Sequence, residues 1–351
     1  MTNDNPDFAG RFFPRKGRRR ILHGSLSRLA LYLGLMVVFN CEAGAAEKIR
    51  VAVQKTGTFA WELGIISERG LDRKAGLSIE VTELASPEAA KVALMGGAAD
   101  IILADWLWAG RQRNLGRRLV FAPYSTALGA VMVPAASPIE DLAGLKGKKI
   151  AVAGGPLDKS WLLLQALARM SDLDIASQAN IIYGAPALLY QKASNGEADA
   201  TLNYWNFCVA LESRGFRRLI GMDEVERRLG AKGPVAMVGY VFDEEFARTH
   251  ADTLARFFKI TAEAKDILAH SGADWEKIAQ RTGIAGEAEL ALYRQTYIDG
   301  IPRRPVAEEA ADARALYRIL AKTGGPDLVG NATELDEGTF YQNMEMAPKE
   351  H

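Results

Sequence analysis

Gly97-Ala-Ala-Asp-Ile-Ile-Leu-Ala-Asp-Trp106 and Gly196-Glu-Ala-Asp-Ala-Thr-Leu-Asn-Tyr-Trp205 are one pattern written twice, 99 residues apart. In each copy a helix ends at a Gly, the residue that most easily takes the left-handed turn past a helix end. A short apolar strand follows, Ile101–Ala104 or Ala200–Asn203, and a Trp stands at its carboxyl end. Upstream at the same offset, Pro87 matches Pro186, each just before a helix, where a missing N–H costs little. Further upstream, Glu47-Lys-Ile-Arg-Val-Ala-Val53 parallels Lys148-Lys-Ile-Ala-Val-Ala-Gly154. Each of these β-branched runs leads into a turn-rich loop, Gln54 to Thr58 or Gly154 to Lys159. A Trp then opens an apolar-periodic helix, Trp61-Glu-Leu-Gly-Ile-Ile66 or Trp161-Leu-Leu-Leu-Gln-Ala-Leu167. A period near 100 residues is too long for a solenoid. It describes two α/β lobes of similar build.

Strands alternating with helices predict a mostly parallel sheet flanked by helices in each lobe. Two further β-like segments, Gly129-Ala-Val-Met-Val-Pro134 and Val235-Ala-Met-Val-Gly-Tyr-Val-Phe242, bound the second copy. They predict a double hinge, with residues 47–131 and 240–351 forming a discontinuous lobe I and 132–239 forming lobe II. The chain after Asp243 reads as helical, and these helices are expected to return to lobe I. Ile301-Pro-Arg-Arg-Pro305 reads as a loop between them.

Length and composition agree with this. The chain has 351 residues, 48% hydrophobic and 25% charged, which suits about two globular domains. Lys+Arg and Asp+Glu balance at 43 each, but residues 1–46 hold 7 basic and 3 acidic side chains, leaving 36 and 40 in the body. A mildly acidic body argues against a nucleic-acid partner, which requires a basic face.

The basic stretch from Arg11 to Arg28, the apolar run Leu29–Phe39 and the small residues Ala43-Gly-Ala-Ala46 have the order of a secretory signal, cleaved near Ala45 or Ala46. The apolar run is too short to span a bilayer, which takes about 20 residues. Export to the periplasm is expected, by a Sec signal in preference to a twin-arginine one. Cys41 lacks a small residue before it, which disfavours a lipid anchor. Without Cys41 only Cys208 remains, so stability must come from core burial and not from a disulfide.

Four segments carry a family resemblance, the Gly97–Asp105 stretch quoted above among them. Ser137-Pro-Ile-Glu-Asp-Leu-Ala-Gly-Leu-Lys-Gly-Lys-Lys-Ile-Ala-Val152 resembles the interlobe signature of extracytoplasmic solute-binding proteins of the nitrate/sulfonate/taurine (NitT/TauT-like) group. Arg69-Gly-Leu-Asp-Arg-Lys-Ala-Gly-Leu-Ser-Ile-Glu-Val81 and Asn195-Gly-Glu-Ala-Asp-Ala200 resemble the group's first-lobe and second-lobe segments. The resemblance covers roughly residues 48–242. It implies a periplasmic-binding-protein-like fold of the second topological type, a small ligand held between lobes, and delivery to an ABC permease in the inner membrane. Closure about a hinge is a known device of such proteins. A monomer is expected, with no cofactor and no metal.

Ligands of open α/β sheets bind beyond the carboxyl ends of the strands. Five loops there supply the candidate ligand-binding residues. The first holds Thr56 and Thr58 before Trp61, with Thr58 equally suited to capping the helix. The second is Asp105-Trp106, where Asp105 could meet a cation or cap the next helix. The third contains Ser125. The fourth, Gly155 to Ser160, offers Asp158 as a cap, Lys159 and Ser160 as possible contacts, and then Trp161. The fifth is Asn203-Tyr204-Trp205. Trp faces stack on planar rings and attract cations. The aromatic set therefore favours an aromatic, heterocyclic or amine-bearing ligand, with a sulfonate next.

Two other functions are compatible with these residues. The fold that the resemblance implies also hosts pyrimidine-synthesising relatives, so an enzyme is an alternative. However, the four His stand at 23, 250, 270 and 351, outside every predicted cleft loop, and Cys208 has no activating base nearby in sequence. An exported sensor or docking protein without a transport role is the other alternative. Ligand-driven lobe closure would separate it from a transporter component.

Overall fold

The computed structural model describes residues 46–55 and 57–344, all within one compact unit. The expected signal segment, Cys41 and Thr56 lie outside the described residues. Ten strands form two five-stranded sheets. The first contains β1 (Glu47–Gln54), β2 (Leu77–Leu84), β3 (Ile101–Asp105), β4 (Leu119–Ser125) and β10 (Val238–Asp243) in the order β2-β1-β3-β10-β4. The second contains β5 (Gly129–Pro134), β6 (Lys149–Ala153), β7 (Asn180–Gly184), β8 (Ala200–Tyr204) and β9 (Phe216–Gly221) in the order β7-β6-β8-β5-β9. The two orders are equivalent. In each sheet the antiparallel strand, β10 or β5, is the one that arrives from the other sheet. Each sheet is therefore mixed, with parallel pairing confined to β1, β2 and β3 or β6, β7 and β8.

The repeat has a structural cause. Asp100 accepts the backbone N–H of Arg50 at 2.8 Å, and Asp199 accepts that of Lys149 at 2.7 Å. Each carboxylate ties the start of its lobe's third parallel strand to the first. Gly97 and Gly196 have φ of +71° and +74°, the left-handed conformation that the sequence position requires.

The helices flanking the first sheet are α1 (Phe59–Arg69), α2 (Leu71–Lys74), α3 (Pro87–Met95) and α4 (Trp106–Asn114). The second sheet carries α5 (Lys159–Arg169), α6 (Ile175–Gln178), α7 (Pro186–Ser194), α8 (Trp205–Glu212) and α9 (Met222–Arg228). Ser86 caps α3 through the Ala89 N–H at 3.2 Å, and Pro87 and Pro186 occupy the first turns of α3 and α7.

The chain passes between sheets at residues 126–128 and again at 229–237, since β5 pairs only in the second sheet and β10 only in the first. The tail comprises α10 (Glu244–Thr249), α11 (Ala251–His270), α12 (Gly272–Thr282), α13 (Glu287–Asp299) and α14 (Val306–Val329), which kinks at Gly325. It does not return to the first lobe alone. α11 packs on α1, α13 packs on α8, and α14 lies on both α4 and α5. Residues 300–312 brace both passages. Gly300 O accepts the Thr126 N–H at 2.8 Å, and the Asp312 carboxylate accepts that of Lys232 at 3.0 Å. The tail thus acts as a third element joining the lobes.

Candidate functional site

The carboxyl ends of β3, β6 and β8 carry the polar groups of the two lobes. At β3, Asp105 caps α4 by accepting the Trp108 N–H at 2.8 Å. Its other oxygen lies 3.9 Å from Lys91 Nζ, on α3, and that ammonium sits 5.4 Å from the centre of the Trp108 ring. The second lobe repeats the motif. Asp158 caps α5 through Ser160 N–H at 2.9 Å and Trp161 N–H at 3.4 Å. Its other oxygen accepts from the Tyr204 hydroxyl at 3.4 Å and lies 3.8 Å from Lys159 Nζ. That ammonium is 5.3 Å from the centre of the Tyr204 ring.

Each lobe therefore presents a lysine between a capping carboxylate and an aromatic face. Burial on its own would lower the Lys159 ammonium, but Asp158, Tyr204, Asp105 and Glu88 outweigh it and hold it above the usual lysine range. Asp105 and Glu88 belong to the first lobe, so the two motifs share one electrostatic neighbourhood. Burial first, and then Asp158, raise the Tyr204 phenol above its ordinary value. Neither ammonium has a hydrogen-bond acceptor among the described residues, because both carboxylates stand at 3.8–3.9 Å. One oxygen of each carboxylate is committed to a helix cap, and the ammonium groups are ion-paired to the other without donating a hydrogen bond.

The indoles are arranged differently from the sequence expectation. Trp106 is fully buried against Tyr317 and Phe340, and Trp161 is buried in the second-lobe core. Trp61 and Trp205 do come together, with centroids 6.1 Å apart and edge to face. They stack with Trp275, Tyr293 and Tyr297 into one aromatic cluster, and Tyr293 donates to Asn206 O at 2.6 Å. This cluster joins the lobes and leaves little indole surface open. Trp108, half-buried beside Lys91, is the indole at the polar face.

The remaining predicted residues have local roles. Thr58 stands at the start of α1 without a capping bond and meets the Tyr124 hydroxyl at 3.2 Å. Ser125 Oγ accepts the Ala127 N–H at 3.1 Å in the first passage. Ser160 is buried. Asn203 is buried, donating to Pro186 O at 3.0 Å and accepting the Tyr204 N–H at 2.8 Å. Lys91 and Glu88 were missed by sequence reasoning, which noted Trp108 only as the neighbour of Trp106. Glu88 and Lys91 are three apart on α3, a spacing that puts both on one helix face.

Beneath Thr58 lies a buried pair. Glu62 is wholly buried and accepts from Lys265 Nζ at 2.5 Å and from the Tyr297 hydroxyl at 2.7 Å. The same ammonium lies 3.8 Å from the Tyr124 ring centre. Burial pushes Lys265 below the usual lysine range despite Glu62. The Cys208 thiol is pushed up to about 12 by burial and donates to Asn203 O at 3.3 Å, so it stays protonated and unreactive. Among the described residues no His, Cys, Asp or Glu cluster is placed to hold a metal ion, and no helix is long and apolar enough to cross a membrane.

The NMT1/THI5-like family model matches residues 66–271, more than half of the chain and most of both sheets. The chain belongs to this family. No curated protein matches the chain by sequence. Among solved structures, the alkanesulfonate-binding protein SsuA from Xanthomonas axonopodis pv. citri, bound to MOPS, is 20% identical, with a TM-score of 0.66. The match covers 85% of this chain and 99% of that one. The periplasmic aliphatic sulphonate binding protein SsuA from Escherichia coli is 21% identical, with a TM-score of 0.65 and coverage of 85% and 98%. The CA3427 gene product of Candida albicans, described as having the generic periplasmic binding protein fold, is 13% identical, with a TM-score of 0.57 and coverage of 86% and 99%. At these identities the likeness establishes the fold. This NMT1/THI5-like chain has the two-lobed α/β architecture of periplasmic binding proteins.

Proposed function

We propose that this protein is an exported solute-binding protein that captures a small organic anion between its lobes and passes it to an ABC importer. The observation that carries the reading is the pair of lysines. Lys91 and Lys159 stand on different lobes, each ion-paired to a capping carboxylate but donating no hydrogen bond among the described residues, and a sulfonate or carboxylate would give both an acceptor on closure. Charge-assisted hydrogen bonds of this kind are worth about 1.5–3 kcal/mol each. The withdrawal of Trp106 and Trp161 into the core weakens the case for an aromatic cage around an amine. Glu88, Asp105 and Asp158 nevertheless surround the lysines, so a ligand carrying an ammonium as well as an acid group also suits the site. The two sulfonate-binding proteins, one of them bound to MOPS, take ligands of the same chemical class.

In this reading, residues 1–46 serve as the export signal, cleaved near Ala45 or Ala46, and the mature chain works as a monomer in the periplasm. The passages at 126–128 and 229–237 serve as the hinge between a first lobe built on the first sheet and a second built on the second, with the tail bridging them. The protein carries out no catalytic turnover.

The test is intrinsic Trp fluorescence of the purified protein, titrated with MOPS, an alkanesulfonate, taurine, an aminopyrimidine and a quaternary amine. Saturable change with an acid-bearing compound is the expected result. Saturation by the quaternary amine or the aminopyrimidine alone would overturn the anion assignment.

A further inference from the structure

The second passage between the lobes is held by carboxylates. Glu309 of α14 accepts the Ala236 N–H at 3.0 Å, and Glu226 of α9 accepts the neighbouring Val235 N–H at 3.5 Å. Asp312 accepts the Lys232 N–H at 3.0 Å and pairs with Arg304 at 2.9 Å. Arg304 also donates to Pro234 O at 3.0 Å. The strap from 232 to 236 is thus gripped from the second lobe by α9 and from the tail by α14.

The grip has an imbalance of charge. Glu226 and Glu309 are 2% and 0% exposed, and one oxygen of each has no hydrogen-bond partner among the described residues. The charged groups acting on them are Asp223, Asp312 and Arg304, and Arg304 is already engaged by Asp312. An ionised carboxylate with an unpaired buried oxygen is strongly disfavoured, and two side by side more so. Burial is the main cause that raises both groups, Glu309 to about 7 and Glu226 well above the carboxylate range, with Asp223, Glu309 and Asp312 adding to the effect on Glu226.

We propose that the strap is a proton-locked latch: Glu226 and Glu309 hold it with at least one proton bound, and it opens by exposing them and releasing that proton. The sign follows from linkage. The latched state binds more protons than the opened state, so latching is strongest at acidic pH and weakens as pH rises through neutrality. The hinge of the molecule then stiffens in an acidified compartment and loosens in an alkaline one.

The test is hydrogen exchange at the Val235 and Ala236 amides of the purified protein from pH 6 to 8.5, corrected for the intrinsic exchange rate. It needs no ligand, so its failure is separate from failure of the binding assignment. In the wild type the opening equilibrium should rise toward about tenfold per pH unit above pH 7. In Glu309→Gln, which keeps an acceptor for Ala236 but cannot ionise, the rise should be lost or much reduced. Should that variant not fold, Glu226→Gln gives the same readout. Equal pH dependence in wild type and variant would overturn the latch. So would strap amides that open with the same free energy as the Val152 amide in the centre of β6, because the strap would then open only by global unfolding.

Discussion

Lys265→Met tests whether the buried pair under the first cleft loop fixes the start of α1. In the native protein Glu62 is wholly buried, with Lys265 Nζ at 2.5 Å and the Tyr297 hydroxyl at 2.7 Å, and its Oε2 already lacks a partner. Removing the ammonium leaves a carboxylate in an apolar, aromatic site with one neutral donor. Breaking a buried pair from one side costs about 3–5 kcal/mol. At about 2–4 °C per kcal/mol for a chain of this order, Tm should fall by about 6–20 °C. Glu62→Gln combined with Lys265→Met removes both charges and keeps an acceptor for Tyr297, so most of the loss should return. The assay is thermal unfolding by circular dichroism at pH 7 for the wild type, the single variant and the double variant. A single variant within about 1 kcal/mol of wild type, or a double variant no more stable than the single, refutes the reasoning.

Further outcomes follow from named contacts. Asp158→Ala removes the α5 cap and the anchor of Tyr204, at a cost of about 1 kcal/mol or slightly more, and Tm should drop by a few degrees. Gly239→Ala drives a methyl group into the Ala122 carbonyl and the Phe121 ring where β10 lies on β4, and soluble yield should collapse. Trp205→Ala cuts the interlobe aromatic contact with Trp61 and Tyr293, and the radius of gyration from small-angle scattering should increase without ligand. Because Glu309 is raised to about 7, its contribution to stability is full below about pH 4.5 and is lost as pH rises through 7, so Tm should fall from pH 5.5 to 8 and Glu309→Gln should flatten that slope.

The architecture was legible because local signals repeat. The Gly, Asp and Pro positions of the two copies set strand starts and helix ends, and Asp100 and Asp199 perform the same bond in both lobes. Asp105 and Asp158 were readable as caps for the same reason, since a cap acts within three residues. The directions of the indoles were not readable. Trp106 and Trp108 lie two apart on one helix start, yet one is core and the other faces Lys91. Which of them turns inward depends on how α4 meets the sheet and α14, and no local pattern encodes that. The buried charges escaped notice because their partners are remote. Glu62 finds Lys265 203 residues away, and Ala236 finds Glu309 73 residues away. Composition alone assigns such side chains to solvent. The tail's second contact escaped notice for a related reason: α14 is buried against both lobes, whereas an amphipathic pattern identifies a buried face without naming its partner.

The most direct test of solute capture between the lobes is calorimetric titration of MOPS, an aminosulfonate, into the purified wild type and Lys159→Gln. The account predicts saturable one-to-one binding to the wild type and an affinity lower by about 10-fold or more in the variant, the loss of one charge-assisted contact. Saturable binding of equal strength in both, or no saturable binding to a folded wild type, would contradict it.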